Sequence, residues 1–133
     1  RVDWWKNVLH FTEEQVWALL EKYKVTPPVP YRLGWGRSSC MTCIFNSPKI
    51  WSTISTYYPE RAQLIAGYEQ KFDCTISRSK IDVVSLSNRI EPFDIQDMEA
   101  LVQSKIESYY LPVFTDNWTV PPGAFNKEGC GSL

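Results

Sequence analysis

Tyr31-Arg32-Leu33-Gly34-Trp35-Gly36-Arg37-Ser38-Ser39-Cys40-Met41-Thr42-Cys43-Ile44-Phe45 gathers a glycine pair, an arginine and two thiols in one short span. Glycine lets backbone approach a ligand closely, arginine grips a phosphate or sulfate, and a C-x-x-C pair holds a metal or does redox work. The stretch points to a nucleotide, a metal or both. Its surroundings decide what fold carries it.

Upstream, Thr12-Glu13-Glu14-Gln15 reads as a capping box, with Phe11 and Val16 set for a hydrophobic staple. Val16, Leu19, Leu20 and Tyr23 recur on one helical face, and Pro27, Pro28 and Pro30 stop that helix near Lys24. Downstream, Ser47-Pro48 starts a second helix with Trp51, Ile54 and Tyr58 as its apolar stripe. Pro59 opens a third, with Leu64, Ile65, Tyr68 and Phe72 expected inward and Gly67 marking close helix packing. The β-branched runs 74–78 and 81–84 read as short strands. Asp94 is the expected cap of a fourth helix through Met98, Leu101, Val102, Lys105 and Tyr109, with a staple between Phe93 and Met98. The tail, with Pro121-Pro122-Gly123 and Gly129-Cys130-Gly131, is irregular. The βαβ alternation of an independent parallel sheet is missing, so the chain reads as a helical layer covering a sheet supplied by other residues.

The chain has 133 residues, enough for one domain with a modest core. Hydrophobic residues make up 44%, which argues against disorder, and a formal net charge of −1 argues against an electrostatic nucleic-acid binder. No apolar run of about 18 residues is present to span a membrane, and no signal-peptide pattern opens the chain. A reducing cytoplasmic location is therefore expected, and metal or redox use of the four cysteines over disulfides. Six tryptophans in so short a chain are more than a small core needs, so some should face a partner or a missing part of the protein. Arg1 is not an initiator methionine, which suggests processing or a fragment.

Cys40, Cys43, Cys74 and Cys130 form the first chemical candidate. Four thiolates complete an iron–sulfur or zinc site. Only Cys40 and Cys43 have metal-motif spacing, so redox use of some thiols and inert buried thiols remain open. Gly34-Trp35-Gly36-Arg37 is the second candidate: its amides suit an anion, with Arg37 as clamp and Arg32 and Arg78 as further contacts. An ordinary turn with a solvated arginine is the alternative. His10 is the sole histidine, which excludes a His-rich metal site and leaves a catalytic triad unsupported. Glu69 and Glu91 read as surface carboxylates without evident partners.

Phe11-Thr12-Glu13-Glu14-Gln15-Val16-Trp17, the segment 31–37, Cys40-Met41-Thr42-Cys43-Ile44-Phe45, Tyr68-Glu69, Thr75-Ile76-Ser77-Arg78 and Pro121-Pro122-Gly123-Ala124-Phe125 resemble, in order, one family. It comprises proteins related to phosphoadenosine phosphosulfate (PAPS) reductase. The likeness is to the C-terminal half of its phage and mobile-element branch, with DNA phosphorothioation sulfurtransferases as more distant relatives. The resemblance implies an α/β fold of the adenine nucleotide α-hydrolase-like type, of which residues 1–133 would be a single helix-rich C-terminal portion with at most a few short strands. It also implies sulfonucleotide reduction or sulfur transfer, as an oxidoreductase or sulfurtransferase when complete. The family's Ser-Gly-Gly-Lys-Asp-Ser type phosphate loop does not occur in this sequence. An adenine nucleotide or sulfonucleotide would then be bound with the missing N-terminal half, this chain offering Gly34, Gly36, Arg37 and Arg78. Cys40, Cys43, Cys74 and Cys130 would hold an iron–sulfur cluster, or zinc as the alternative. Self-association into a homo-oligomer is a further expectation. The rival reading is a non-enzymatic, metal-stabilised module that binds protein or nucleic acid. Two positions depart from the family pattern: Pro27-Pro28-Val29-Pro30 and Ser77 lack the histidines often found there.

Overall fold

A computed structural model describes residues 6–126. Its centre is α3 (Pro48–Tyr57), which begins as the sequence dictates. The Ser47 hydroxyl accepts the Ile50 N–H at 3.3 Å, and Pro48 fills a position whose N–H would have no helical partner. Trp51 and Ile54 are each 0% exposed, so α3 is the spine of the core. Helix α4 (Pro59–Phe72) packs along it, and α5 (Val83–Ser87) packs on both. On the other side, the short α2 (Val29–Arg32) meets α6 (Met98–Gln103). Leu33, Trp35, Phe93, Ile95, Ala100 and Leu101 complete one contiguous apolar cluster with α3 and α5.

Helix α1 (Glu13–Lys22) carries the expected capping box: Thr12 and Gln15 exchange side-chain and backbone hydrogen bonds. Its inward residue is Trp17, whose ring meets Tyr31 edge-on at 5.0 Å. The stripe expected to be buried is largely exposed: Val16, Leu19 and Tyr23 face outward among the described residues. A single antiparallel bridge, Val25 to Phe114, ties the end of α1 to the C-terminal tail. The Trp118 indole N–H strengthens this join by donating to the Val25 carbonyl at 2.9 Å.

Several local expectations are corrected. The runs 74–78 and 81–84 are not strands. The Asp82 carboxylate accepts the Ser85 N–H at 2.8 Å, and this cap turns Val83-Val84 into the first residues of α5 despite their β-branching. Helix α4 starts at Pro59 as expected, and Ile65 packs inward as expected, but the rest of its buried face differs. Ala62 and Ala66 pack on the core beside Ile65, their small side chains letting the backbone come close to it. Leu64, Tyr68 and Phe72 are left outside. Gly67 makes no close packing, since a Cβ there would meet nothing within 4 Å. The last helix is capped by Asp97 rather than Asp94 and ends at Gln103. Residues 93–96 are irregular chain, with Phe93 and Ile95 buried and Asp94 and Gln96 exposed in alternation. Among the described residues, helices dominate and β structure is confined to the one bridge. No helix among them is long and apolar enough to cross a membrane.

Candidate functional site

Residues 31–45 leave α2 and reach α3 as a sequence of turns. Gly34 is buried with φ +98°, a left-handed conformation that suits glycine. A Cβ there would also press on the Phe93 ring at 3.2 Å. The Trp35 N–H donates to the Pro30 carbonyl at 3.0 Å, and the Trp35 ring lies 5.6 Å from Phe93. The loop is thus pinned to the core on both sides of its first glycine. Gly36 is half-buried and Arg37 exposed.

The tail closes over this loop. The Gly123 N–H donates to the Tyr31 carbonyl at 2.8 Å, and the Asn126 amide donates to the Gly34 carbonyl at 2.8 Å. Gly123 is obligatory here, because a Cβ would stand 2.1 Å from the Trp35 carbonyl oxygen. Cys130 lies outside the described residues, four positions beyond Asn126.

The C-x-x-C turn is shaped by Asn46, which is buried. Its amide donates to the Met41 carbonyl, and its own N–H donates to the Cys43 carbonyl at 3.0 Å. Cys40 is exposed and Cys43 half-buried. The segment after α4 comes to this turn: the Arg78 N–H donates to the Ile44 carbonyl at 3.0 Å, and the Arg78 guanidinium sits 5.7 Å over the Phe45 ring. Cys74, exposed, opens that segment immediately after Asp73, whose φ of +48° ends α4 in a left-handed turn. The structure therefore brings Arg78 to the Ile44-Phe45 end of the cysteine turn, and the tail before Cys130 to Gly34. Among the described residues, no three His, Cys, Asp or Glu side chains are arranged to hold a metal ion.

Arg32 is not an anion contact. Its Nε donates to one Asp97 carboxylate oxygen at 2.7 Å, and its Nη2 to the other and to Glu99 at 3.1 Å each. Burial pushes the Asp97 carboxyl up, but the Arg32 hydrogen bond, the Ala100 N–H and the Arg32 charge outweigh it, and the net shift is downward. Burial works against the Arg32 charge, and Asp97 and Glu99 more than restore it. This fork joins α2 to α6 and is structural.

A cavity of about 330 Å³ opens beside the cysteine turn, with Trp35, Met41, Tyr58 and Tyr109 among its walls. Burial raises the Tyr58 phenol above its ordinary pKa, against the lowering effect of its 2.7 Å hydrogen bond with Ser104. Glu69 corrects the sequence reading of a surface carboxylate without a partner: it is half-buried and holds two backbone N–H groups. Its two carboxylate oxygens accept the Ile76 and Val83 N–H groups, each at 2.9 Å.

Compared with family models, curated proteins and solved structures, the chain matches none.

Proposed function

We propose that this chain is the C-terminal part of a PAPS reductase-like protein of the adenine nucleotide α-hydrolase-like class. It acts on a sulfonucleotide or in sulfur transfer and uses its cysteines to hold an iron–sulfur cluster or zinc. The observation that carries the reading is the junction of Arg78 with Ile44, which joins two segments distant in sequence, each bearing cysteine and arginine or its neighbours. The tail that leads to Cys130 adds a third segment at Gly34. In this reading Cys40, Cys43, Cys74 and Cys130 are the ligands, and a bound centre supplies electron or sulfur exchange. Gly34 and Gly36 let the backbone approach the substrate, while Arg37 and Arg78 face its anionic part. The outward apolar residues of α1 and α4 fit a surface that an N-terminal half would cover.

The same exposed surface favours a second reading, a metal-stabilised module whose partner is a protein. Two measurements separate the possibilities. Anaerobic loading with Zn²⁺, or with iron and sulfide, is expected to give stoichiometric metal that Cys40→Ser and Cys43→Ser each abolish. The same substitutions should lower stability by several kcal/mol, since ligand loss removes metal-coupled folding energy. Unchanged metal content and melting temperature in both variants refute the ligand assignment. Sulfonucleotide binding by the chain joined to an N-terminal half, weakened by Arg37→Ala, supports the enzyme. Metal binding with no nucleotide affinity supports the module.

A further inference from the structure

Gly67 stands near the middle of α4, and nothing inside the monomer asks for glycine there. Its backbone is ordinary helix, since Gly34 alone among the described glycines has a left-handed φ. A Cβ at Gly67 would meet nothing within 4 Å. Glycine inside a helix costs about 1 kcal/mol relative to alanine, so the monomer is weakened and gains no packing in return. Such a glycine is explained by a body outside the monomer that comes close to bare backbone. Glu60, Leu64, Gly67 and Lys71 recur at i, i+4, i+7 and i+11, which is one face of a helix, and all four are exposed. Tyr68 and Phe72, exposed as well, flank this row with ring centroids 6.3 Å apart. Charge is divided along the face, with Glu60 in the first turn of α4 and Lys71 in the last. Neither belongs to an ion pair among the described residues; the Lys71 ammonium rests 5.5 Å from the Phe72 ring centroid. The face is its own complement. Turned end for end against a second copy, it sets Glu60 level with Lys71 and, in the same register, Leu64 level with Gly67. A two-fold axis makes each contact twice. A parallel pair would instead set Glu60 against Glu60 and Lys71 against Lys71.

We propose that the outward face of α4 docks antiparallel on the same face of a second copy of this chain, Leu64 of each seated over Gly67 of the other and Glu60 of each paired with Lys71 of the other. The 14-residue helix is about 21 Å long. One helix pair of that length is small among interfaces, so the dimer is weak and exchanges with monomer. The pairing uses no cysteine and no metal and goes beyond the functional reading above. It takes the α4 face and leaves the exposed stripe of α1 to an N-terminal half.

Sedimentation of the full chain over rising concentration tests it, at low salt and with reductant and chelator present, so that neither disulfides nor metal joins copies. The parent is expected to pass from monomer to dimer. Glu60→Lys and Lys71→Glu each oppose like charges at both ends of the interface and should weaken association about 10- to 30-fold. Combining both substitutions in one chain restores opposite charges and should restore the dimer. Mixing the two single variants should give a heterodimer, one chain carrying both lysines and the other both glutamates; a parallel pair predicts no such rescue. Gly67→Leu fills the space that the second copy's Leu64 needs and should abolish association. Its melting temperature should match or exceed the parent's, because leucine suits a helix and meets nothing in the monomer. A parent that stays monomeric throughout overturns the proposal and gives the α4 face to another partner. A dimer that withstands Gly67→Leu and both charge variants also overturns it, since the contact then lies elsewhere. Single variants that stay monomeric when mixed, beside a parent that dimerises, overturn the antiparallel register.

Discussion

Replacing Thr53 by valine removes one oxygen from the interior and leaves the side chain's shape almost unchanged. Thr53 is 0% exposed, and its hydroxyl works in both directions. It donates to the Lys49 carbonyl at 2.8 Å, one turn back in α3, and accepts the Phe93 N–H at 2.9 Å, forty residues further along the chain. The Lys49 carbonyl belongs to a helix, so loss of this second donor costs little. The Phe93 N–H is buried, and valine leaves it without an acceptor, at a cost of about 1–3 kcal/mol. For Thr53→Val the expected loss is about 2 kcal/mol, or about 6–10 °C in a domain of this size. Thr53→Ser keeps the oxygen and loses one buried methyl, for about 1 kcal/mol. Urea and thermal unfolding in the presence of chelator measure both, so that bound metal does not add to the folded state. The order parent, serine, valine is the required one. A valine variant within about 0.5 kcal/mol of the parent, or more stable than the serine variant, refutes the reasoning. The effect should reach the candidate site, because the Phe93 ring packs beneath Gly34 and beside Trp35. Loosening that ring frees the loop that presents Arg37.

Two further outcomes follow from the geometry. Gly123→Ala drives a methyl group into the backbone carbonyls of Trp35 and Tyr31, which cannot yield as a flexible side chain would. We expect a cost of about 3 kcal/mol and selective proteolysis of the tail, with α3 still protected; an unaltered proteolysis pattern counts against tail docking. Asp97→Asn retains the cap on α6 but removes the charge facing Arg32. Because the Asp97 pKa is lowered in the folded state, its contribution is complete above the unfolded value of about 4 and disappears as pH falls through the folded one. The parent should exceed the asparagine variant by about 1 kcal/mol at pH 7, and the two should converge in acid; parallel pH–stability curves refute this.

Where a signal was confined to one turn of chain, the sequence was legible. Ser47-Pro48, the Thr12 capping box and Pro59 each set a helix start, and each start lies where expected. Which face a helix buries was harder to read. Helix α4 has two candidate stripes, and the smaller residues won because α3 approaches closely. Val83-Val84 looked like strand until the Asp82 cap outweighed β-branching. Asp94 and Asp97 compete as caps, and the burial of both Phe93 and Ile95 keeps the first outside the helix. Of the site, the C-x-x-C turn and the left-handed Gly34 were visible as residue types. The Arg32 fork spans 65 positions and the Glu69 clamp joins irregular chain to a helix start, so neither leaves a periodic trace.

Helices α3, α4 and α5 come from consecutive chain between positions 48 and 87 and pack on one another. Their contacts close short loops, whereas Val25 with Phe114 and Tyr31 with Gly123 close very long ones. Loop closure costs more entropy as separation grows, so the local trio can nucleate while both ends are still searching. Cys40, Cys43 and Cys74 border that early nucleus, and the arm that leads to the last thiol is fastened late. A chain emerging from the ribosome would thus spend an interval with α3, α4 and α5 already packed and the arm that pins Gly34 through Asn126 still undocked, so the Gly34 loop would be the last part of the described chain to take its final shape.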